Sequence, residues 1–358
     1  MKLYLERVRK FTPIERGSGE GSSKGGQQRE GTAVLDLSEG ATVRDLKEAF
    51  SKVKTKYGVH RQEWRLAPKP GQGQKQKKGE VLRPDHATLA SYGLRDGATV
   101  YFKDLGVQIG YRTVFFWEYL GPLLIYPLFF LFPFLFYSSS DSPTTTAAAA
   151  AAAAAGGGGG TSHAQTNTNT QVELGQKVAC AYWVFHYAKR IFETFFVHKF
   201  SHSTMPVRNL VKNCSYYWGF AALVSYFVNS PSASGTSSSR SLYIYVCFTL
   251  AMLCQVLNLY CHVALTRLRK PGETAYKIPR GFLFDVVTCP NYTTEVMGWF
   301  FFNVGTRGTI MGVAFMMAGA VQMYQWAVAK HKRLNKIFDG KEGRAKYPRR
   351  YIMFPPFL

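Results

Sequence analysis

Residues 113–136 read TVFFWEYLGPLLIYPLFFLFPFLF, and this apolar run decides the fold class of the second part of the chain. As a helix it would measure about 36 Å, enough to cross the roughly 30 Å hydrocarbon core of a bilayer. Comparable apolar runs recur towards the carboxyl end, at about 176–198, 215–229, 242–265, 282–304 and 308–329. The sequence therefore predicts an all-α, multi-spanning transmembrane bundle of six to seven helices.

The distribution of positive charge predicts how this bundle is oriented. The chain carries 44 Lys and Arg against 22 Asp and Glu, yet no zinc knuckle, RNA-recognition motif or basic-aromatic groove indicates a nucleic acid partner. Residues 138–176 contain no Lys or Arg, whereas 199–212, 266–280 and 330–350 are rich in them. Because Lys and Arg concentrate in cytosolic loops, we expect both termini to face the cytosol.

Residues 1–104 are polar and charged, and their pattern predicts a small α+β domain. Strands are expected at 2–8, 33–37 and 63–66, and a last strand should follow the turn that Asp96-Gly97 indicates. Thr42, with Asp45 three residues later, is close to a capping box and predicts the start of a helix. This order of elements resembles the ubiquitin-like β-grasp.

A low-complexity run interrupts the apolar part of the chain. Residues 144–160 read TTTAAAAAAAAAGGGGG and have no apolar periodicity with which to build a core. We interpret 138–175 as a lumenal loop within a second domain that comprises 105–358, with 1–104 as the first.

Ionisable residues within apolar spans are costly, so each is a candidate for chemistry. Glu118 lies about five residues inside the first predicted span, where an interfacial structural carboxylate is the alternative. In the second, His186, Tyr187, Arg190 and Thr194 recur at three- and four-residue spacing, which places them on one helix face. A buried phenol beside cations can donate a proton, which makes Tyr187 a candidate acid.

The same span offers two pairs with a plain structural interpretation. Lys189 and Glu193 are i,i+4 neighbours, so Lys189 could either form an ion pair or take part in chemistry. His198 and His202 are also four residues apart and could bind a metal on a helix, but no third ligand accompanies them at a usable spacing. We therefore expect no metal site.

The fourth predicted span ends in a polar face beside a basic loop. Gln255, Asn258 and His262 share that face and lead into TRLRKPGETAYKIPRG. A phosphorylated cofactor would need cations close to such a helix end, with Arg269 and Lys270 as candidate phosphate partners.

The fifth predicted span opens with CPNYTTEVMGW, so that Asn291, Tyr292 and Glu295 enter it from the same, cytosolic side. No GxGxxG motif follows a predicted strand, and no Walker loop is present. A nucleotide site of the Rossmann type is therefore not expected here.

Four stretches carry a resemblance that covers nearly the whole chain: YFKDLGVQIGYRTVFFWEYLGPL, FHYAKRIFETFFVHKFSHSTMPVRNLVKNCSYYWGF, RKPGETAYKIPRGFLFDVVTCPNYTTE and the terminal PPFL. They resemble the trans-2-enoyl-CoA reductases of very-long-chain fatty acid elongation, members of the steroid 5α-reductase superfamily. The ubiquitin-like front end favours these enzymes over the steroid reductases, which generally lack it.

The resemblance implies NADPH-dependent reduction of very-long-chain trans-2,3-enoyl-CoA to saturated acyl-CoA, the last step of the elongation cycle, in the endoplasmic reticulum membrane. Besides this substrate and membrane lipids, it implies as partners an elongase, a ketoacyl-CoA reductase and a hydroxyacyl-CoA dehydratase. Two alternatives stay open: reduction of a 3-oxo-Δ4-steroid or polyprenol, and a non-enzymatic membrane scaffold that uses its ubiquitin-like domain.

Taken position by position, the resemblance also implies roles for individual residues. The implied catalytic residues are Tyr187, Glu118, Lys189 and Tyr292. The implied cofactor-binding residues are Arg190, Asn258, Arg269, Tyr276, Asn291 and Glu295, with His262 in the same set although the steroid enzymes have an Asp there.

Overall fold

The computed structural model describes residues 1–7, 33–67, 79–137, 174–200, 203–230, 241–268 and 275–356. Within them the chain forms two compact units. The sheet unit comprises Met1–Gly110 with Thr204–Val207, and the helical unit comprises Tyr111–Ser203 with Arg208–Leu358. The low-complexity run at 144–160 lies outside the described residues.

The sheet unit contains a four-stranded mixed sheet and one α-helix. Its elements are β1 (Lys2–Arg7), β2 (Ala33–Asp36), α1 (Val43–Val53), β3 (Gln62–Arg65) and β4 (Thr99–Asp104). The strand order is β2-β1-β4-β3, in which β1 and β4 run parallel and the outer pairs run antiparallel. The predicted strands are therefore confirmed, with small differences at their ends. A separate antiparallel pair joins β5 (Gln108–Gly110) to β6 (Thr204–Pro206).

Helix α1 begins where the sequence predicts. The backbone N–H of Asp45 donates to the Thr42 hydroxyl at 3.3 Å, and the backbone N–H of Thr42 donates to the Asp45 carboxylate at 2.7 Å. These bonds complete the capping box and lower the pKa of Asp45 below its ordinary value. Beyond the cap, one apolar face of α1 packs onto the sheet. It consists of Val43, Leu46 and Phe50, which are buried with Trp64 and other core residues.

The helical unit contains a long helix for each of the six predicted apolar runs. The helices are α2 (Tyr111–Leu131), α3 (Leu174–Phe192), α4 (Arg208–Val228), α5 (Ser241–Arg267), α6 (Pro290–Gly305) and α7 (Ile310–Ile337). Two of these described helices, α2 and α5, are long and apolar enough to cross a membrane by length and composition. Helix α3, by contrast, carries Lys177, Lys189 and Arg190 within its length.

The predicted start of the fifth span at residue 282 was wrong. Phe282–Asp285 forms a short 3₁₀ turn, and α6 begins only at Pro290. Proline lacks a backbone N–H and suits the first turn of a helix, so it defines a beginning rather than an interior. The segment before it pairs with the carboxyl-terminal tail, where the N–H groups of Thr288 and Cys289 donate to the carbonyls of Tyr351 and Ile352.

Helix α3 lies at the centre of the helical unit, because it packs against α2, α5 and α6. Its buried residues include Tyr182, Trp183, His186, Tyr187 and Lys189. Polar side chains of α3 therefore face other helices of the protein, which is the arrangement that an apolar bundle requires of them.

Helices α2 and α4 approach each other closely at Gly121. A Cβ atom at this position would overlap the indole ring of Trp218, whose Nε1 donates to the backbone carbonyl of Trp117 at 3.0 Å. Small residues permit such close approach between helices in a membrane bundle.

We expect Gly121→Ala to destabilise the protein by about 1–3 kcal/mol, because the added methyl group must displace the Trp218 ring. The measurement is the thermal-unfolding midpoint of the detergent-solubilised protein. Gly219→Ala is the matched control: this glycine also lies inside a helix, a Cβ there meets nothing within 4 Å, and alanine favours a helix by about 1 kcal/mol. Equal midpoints for the two variants would contradict the prediction.

Candidate functional site

A chain of hydrogen bonds joins α3 to α5 and α6. The Lys189 ammonium donates to Asn258 Oδ1 at 2.5 Å, and Asn258 Nδ2 donates to the backbone carbonyl of Asn291 at 2.8 Å. Lys189, Asn258 and Asn291 are each buried. The structure therefore brings together three residues that the sequence places on separate predicted spans.

One turn earlier on α3, a second set of polar groups faces the same two helices. The ring of His186 bonds through Nδ1 to Gln255 Oε1 at 3.1 Å, while Gln255 Nε2 donates to the Tyr182 hydroxyl at 2.7 Å. His186 Nε2 lies 3.5 Å from Glu295 Oε1, which also accepts from Trp299 Nε1 at 3.1 Å. Glu295 thus joins the cluster from α6.

Tyr187 lies beside these groups with its side chain fully buried. Its ring packs against His186, Trp183 and Tyr119, at centroid distances of 4.8, 5.2 and 6.2 Å. Among the residues that the structure describes, its hydroxyl has no hydrogen-bond partner. A buried hydroxyl without a partner loses its hydration and gains nothing in return, so this group is free to bond a ligand oxygen.

The guanidinium group of Arg190 connects Tyr119 to Glu193. Its Nη2 donates to the Tyr119 hydroxyl at 2.8 Å, and its guanidinium carbon lies 5.0 Å from the centre of the same ring. Its Nη1 donates to Glu193 Oε2, also at 2.8 Å. Since Tyr119 contacts the ring of Tyr187, Arg190 is linked to Tyr187 through Tyr119.

Glu118 is buried on α2, and its carboxylate accepts a hydrogen bond from α4. Its Oε2 accepts from Asn213 Nδ2 on α4 at 2.7 Å. The adjacent residue, Tyr119, is the one that contacts Tyr187 and Arg190.

Three other predicted site residues lie away from the Lys189–Asn258–Asn291 chain or outside the described residues. Tyr292 packs with the tail and lies 6.4 Å from the ring of Trp326. Tyr276 is half exposed, and its hydroxyl accepts from Arg333 at 3.1 Å. Arg269 lies outside the described residues, as does its neighbour Lys270.

Comparison of the amino-acid sequence with known proteins identifies the family of this chain. Residues 203–358 match the family model described as 3-oxo-5-alpha-steroid 4-dehydrogenase. Over 324 residues the chain is 40% identical to a very-long-chain enoyl-CoA reductase of Dictyostelium discoideum. The aligned region covers 90% of this chain and 94% of that protein. The chain belongs to the very-long-chain enoyl-CoA reductase family.

Further members of this family are similar over most of their length. A probable very-long-chain enoyl-CoA reductase of Caenorhabditis elegans is 36% identical over 90% of this chain and 92% of its own. A human protein named trans-2,3-enoyl-CoA reductase-like is 30% identical over 87% of this chain and 78% of its own. The predicted resemblance, including the steroid 5α-reductase superfamily, is therefore confirmed. The family and the two apolar helices together indicate a membrane protein.

In this family member, the buried carboxylate of Glu193, the residue that directly follows α3, contacts Lys189, Arg190 and two histidines. Glu193 Oε1 lies 3.0 Å from His262 Nδ1 and 3.3 Å from the Lys189 ammonium. Glu193 Oε2 lies 2.8 Å from Arg190 Nη1 and 3.8 Å from His198 Nε2. His262, predicted to bind the cofactor, thus faces Glu193.

The candidate ligand atoms of Glu193, His198 and His262 lie within 4.8 Å of one another, a spacing that could hold a metal ion. The sequence paired His198 with His202 instead, and His202 lies outside the described residues. The charges nearby oppose a metal, however, because Lys189 and Arg190 already contact the carboxylate and would repel a second cation in a medium of low dielectric constant.

Sequence reasoning missed three residues of this site. Tyr119 is one aromatic residue among many in its span, so no pattern distinguishes it. Asn213 lies just before the predicted third span, where a polar residue is unremarkable. Glu193 had a usable signal: it is i+4 from Lys189 and also i+3 from Arg190, so one carboxylate could serve two cations on the same face.

We expect Asn258→Ala to lower the free energy of unfolding by about 1–3 kcal/mol, because it removes one hydrogen bond from the buried Lys189 ammonium and one from the buried Asn291 carbonyl. The thermal midpoint of the solubilised protein measures this loss. Asn335→Ala is the control, since Asn335 is exposed and bonds only within its own helix, to the carbonyl of His331. If both variants melted at the same temperature as the wild type, the Asn258 bonds would be unimportant for stability.

Proposed function

We propose that this protein uses NADPH to reduce the 2,3-trans double bond of very-long-chain enoyl-CoA. The names of its relatives support the substrate class and the reaction. The structural observation that carries the proposal is the Tyr187 hydroxyl, which is fully buried, has no partner among the described residues and belongs to a ring that packs against His186 and Tyr119. Such a group can serve as a hydrogen-bond donor or proton donor to a substrate.

The polar residues at the ends of α5 and α6 fit the cofactor. Asn291 Oδ1 is a buried polar atom that lacks a hydrogen bond within the described residues, and it belongs to the predicted cofactor set. His262, another member of that set, is buried at the end of α5 with its Nδ1 3.0 Å from Glu193 Oε1. We propose that Arg190, Asn258, His262, Arg269, Tyr276, Asn291 and Glu295 hold NADPH. The exposed cation Arg333 on α7, which bonds to the Tyr276 hydroxyl, adds charge suited to its phosphates.

NADPH would supply a hydride to C3 of the thioester, which places negative charge on the thioester oxygen. The Tyr187 hydroxyl or the Lys189 ammonium would donate a hydrogen bond to that oxygen and stabilise the charge. A tyrosine would then deliver a proton to C2. The aromatic rings around Tyr187 exclude water, which strengthens such a bond.

Glu118 and Tyr292 complete the proposed catalytic set with Tyr187 and Lys189. Glu118 adjoins Tyr119, which bonds Arg190, and Tyr292 adjoins Asn291, whose carbonyl accepts from Asn258. Each is therefore adjacent in sequence to a residue, Tyr119 or Asn291, that takes part in the hydrogen bonds of the site.

We also propose a setting for this reaction: the endoplasmic reticulum membrane, six to seven spanning helices and both termini in the cytosol. The charge distribution of the loops supports this orientation. The proposed partners are the elongase, the ketoacyl-CoA reductase and the hydroxyacyl-CoA dehydratase of the same cycle, in addition to membrane lipids.

The two domains are likewise proposed as 1–104 and 105–358, the first being a ubiquitin-like β-grasp. The parallel pairing of β1 with β4 at the centre of the sheet, with antiparallel strands outside and α1 packed on one face, supports that fold.

The substrate proposal is tested by the rate of NADPH oxidation in purified membranes with a very-long-chain trans-2-enoyl-CoA, a 3-oxo-Δ4-steroid or a polyprenol. We expect the enoyl-CoA to be reduced fastest and to yield the saturated acyl-CoA by mass spectrometry. Faster oxidation with the steroid or polyprenol would contradict the proposal, and no NADPH binding at all would favour the scaffold alternative.

We expect Tyr187→Phe to reduce kcat by a factor on the order of 10²–10⁴, because it removes the donor while keeping the ring. Binding of NADPH, measured by its fluorescence, should persist. Tyr126→Phe is the control: Tyr126 is equally buried and its hydroxyl also lacks a partner within the described residues, but its ring stacks on Trp183, at 4.6 Å between centroids, and it belongs to none of the proposed site residues. A Tyr187→Phe variant with the wild-type kcat would refute the assignment.

A further inference from the structure

Glu193 is the most fully buried carboxylate of the helical unit, with no exposed side-chain area. An ionised carboxylate offers about four lone-pair directions and no donor. Each of its oxygens faces one cation and one histidine: Oε1 faces Lys189 and His262, and Oε2 faces Arg190 and His198. The acceptor capacity of this one group therefore matches the nitrogen groups around it.

The charge balance shows why this carboxylate is needed. Lys189 is buried and Arg190 is largely buried, and an isolated charge in such a place costs several kcal/mol. Among the described residues, Glu193 is the only carboxylate within 4 Å of either cation. Without Glu193, the uncompensated charges of Lys189 and Arg190 would favour rotation of both side chains towards solvent or entry of water into the bundle.

The far ends of the two cations reach the two halves of the proposed active site. Lys189 bonds to Asn258, and through it to Asn291, on the side proposed for the cofactor. Arg190, itself in the proposed cofactor set, bonds to Tyr119, whose ring contacts the proposed catalytic residue Tyr187. Through these two cations, Glu193 is connected to Asn258 and Asn291 and also to Tyr119 and Tyr187.

The backbone of α3 changes at this same residue. Glu193–Val197 forms a π-helical turn, closed by the N–H of His198, which donates to the carbonyl of Glu193 at 2.7 Å. In an α-helix, residue i+5 lies about 140° around the axis from residue i, so a side chain there would face elsewhere. The wider turn brings His198 over Glu193 and against the ring of His262, at 4.9 Å between centroids. Turns of this kind are frequent at functional sites.

We propose that Glu193 is a positioning residue of the reductase, which fixes Lys189 and Arg190 in the places from which they reach Asn258 and Tyr119. This proposal rests on the proposed function. Glu193 itself would touch neither substrate nor cofactor, and its effect on the rate would pass through the two cations.

The test is a double-mutant cycle of Glu193→Gln and Lys189→Met, with kcat, KM and thermal midpoint measured for all four proteins. Glu193→Gln keeps the shape of the side chain and removes its charge. We expect kcat to fall by a factor on the order of a hundred, since displacement of a catalytic group by about 1 Å has that effect. The double variant should be no slower than Lys189→Met alone and should melt higher than Glu193→Gln, because it no longer buries the Lys189 charge unpaired.

A purely structural role gives a different pattern. In that case the two kcat losses multiply in the double variant, which overturns the proposal, as does a Glu193→Gln variant with wild-type kcat and KM. Glu193→Asp keeps the charge and should recover part of kcat, and it replaces Glu193→Gln in the cycle if the latter fails to fold. Glu63→Gln, which alters a carboxylate of the sheet unit, is the control and should leave kcat unchanged.

Two further outcomes are separable. Stoichiometric zinc in the purified wild type, lost in Glu193→Gln, would show a metal site in place of the ion network and overturn the proposal. If the wild type reduced no enoyl-CoA, the proposed function would fail. The thermal midpoints of the four proteins would still show whether Glu193 and Lys189 are coupled. If the shifts of the two single variants simply added in the double variant, the positioning role would be overturned as well.

Discussion

A charged group inside an apolar helical bundle must meet a partner, and the arrangement of the helical unit follows from this requirement. Desolvation of a single ion costs several kcal/mol, a large part of the ~5–15 kcal/mol that stabilises a typical domain. Lys189 and Arg190 therefore place strict conditions on their surroundings. Glu193 supplies the opposite charge, and Asn258 and Tyr119 take up the remaining donors. These contacts tie α3 to α2 and α5, so the packing of three helices depends on two cations and one carboxylate.

The same contacts leave Tyr187 in an unusual position. Arg190, Tyr119 and His186 are engaged in hydrogen bonds or ion pairs, whereas the Tyr187 hydroxyl is buried without a partner among the described residues. Aromatic rings from α2, α3 and α6 form the walls around it. In such a medium of low dielectric constant, a hydrogen bond to developing negative charge is stronger than in water, and a donor that is already fixed in place needs no reorganisation. The site therefore combines rigid cations with one uncommitted donor.

The sequence predicted the helices and strands well, because apolar runs, a capping box and turn residues are local signals. The start of α6 was wrong, since apolar composition alone does not reveal that residues 286–289 pair with the tail. Lys189, Asn258 and Asn291 were predicted as site residues, and the structure adds the bonds between them. Tyr119 and Asn213 could not be predicted, because their importance arises from helix crossings that no local pattern encodes. The position of His198 over Glu193 could not be predicted, since regular α-helical spacing does not anticipate a π turn.

The pairing between the tail and the segment before Pro290 has a practical consequence for anyone who modifies the carboxyl end. The residues around Tyr351 and Ile352 hold the entrance of α6, and Met353 is fully buried beneath it. Asn291 follows this entrance by a single position. An epitope fused to the last residues, or a protease that trims them, would thus disturb the backbone pairing that holds the start of α6.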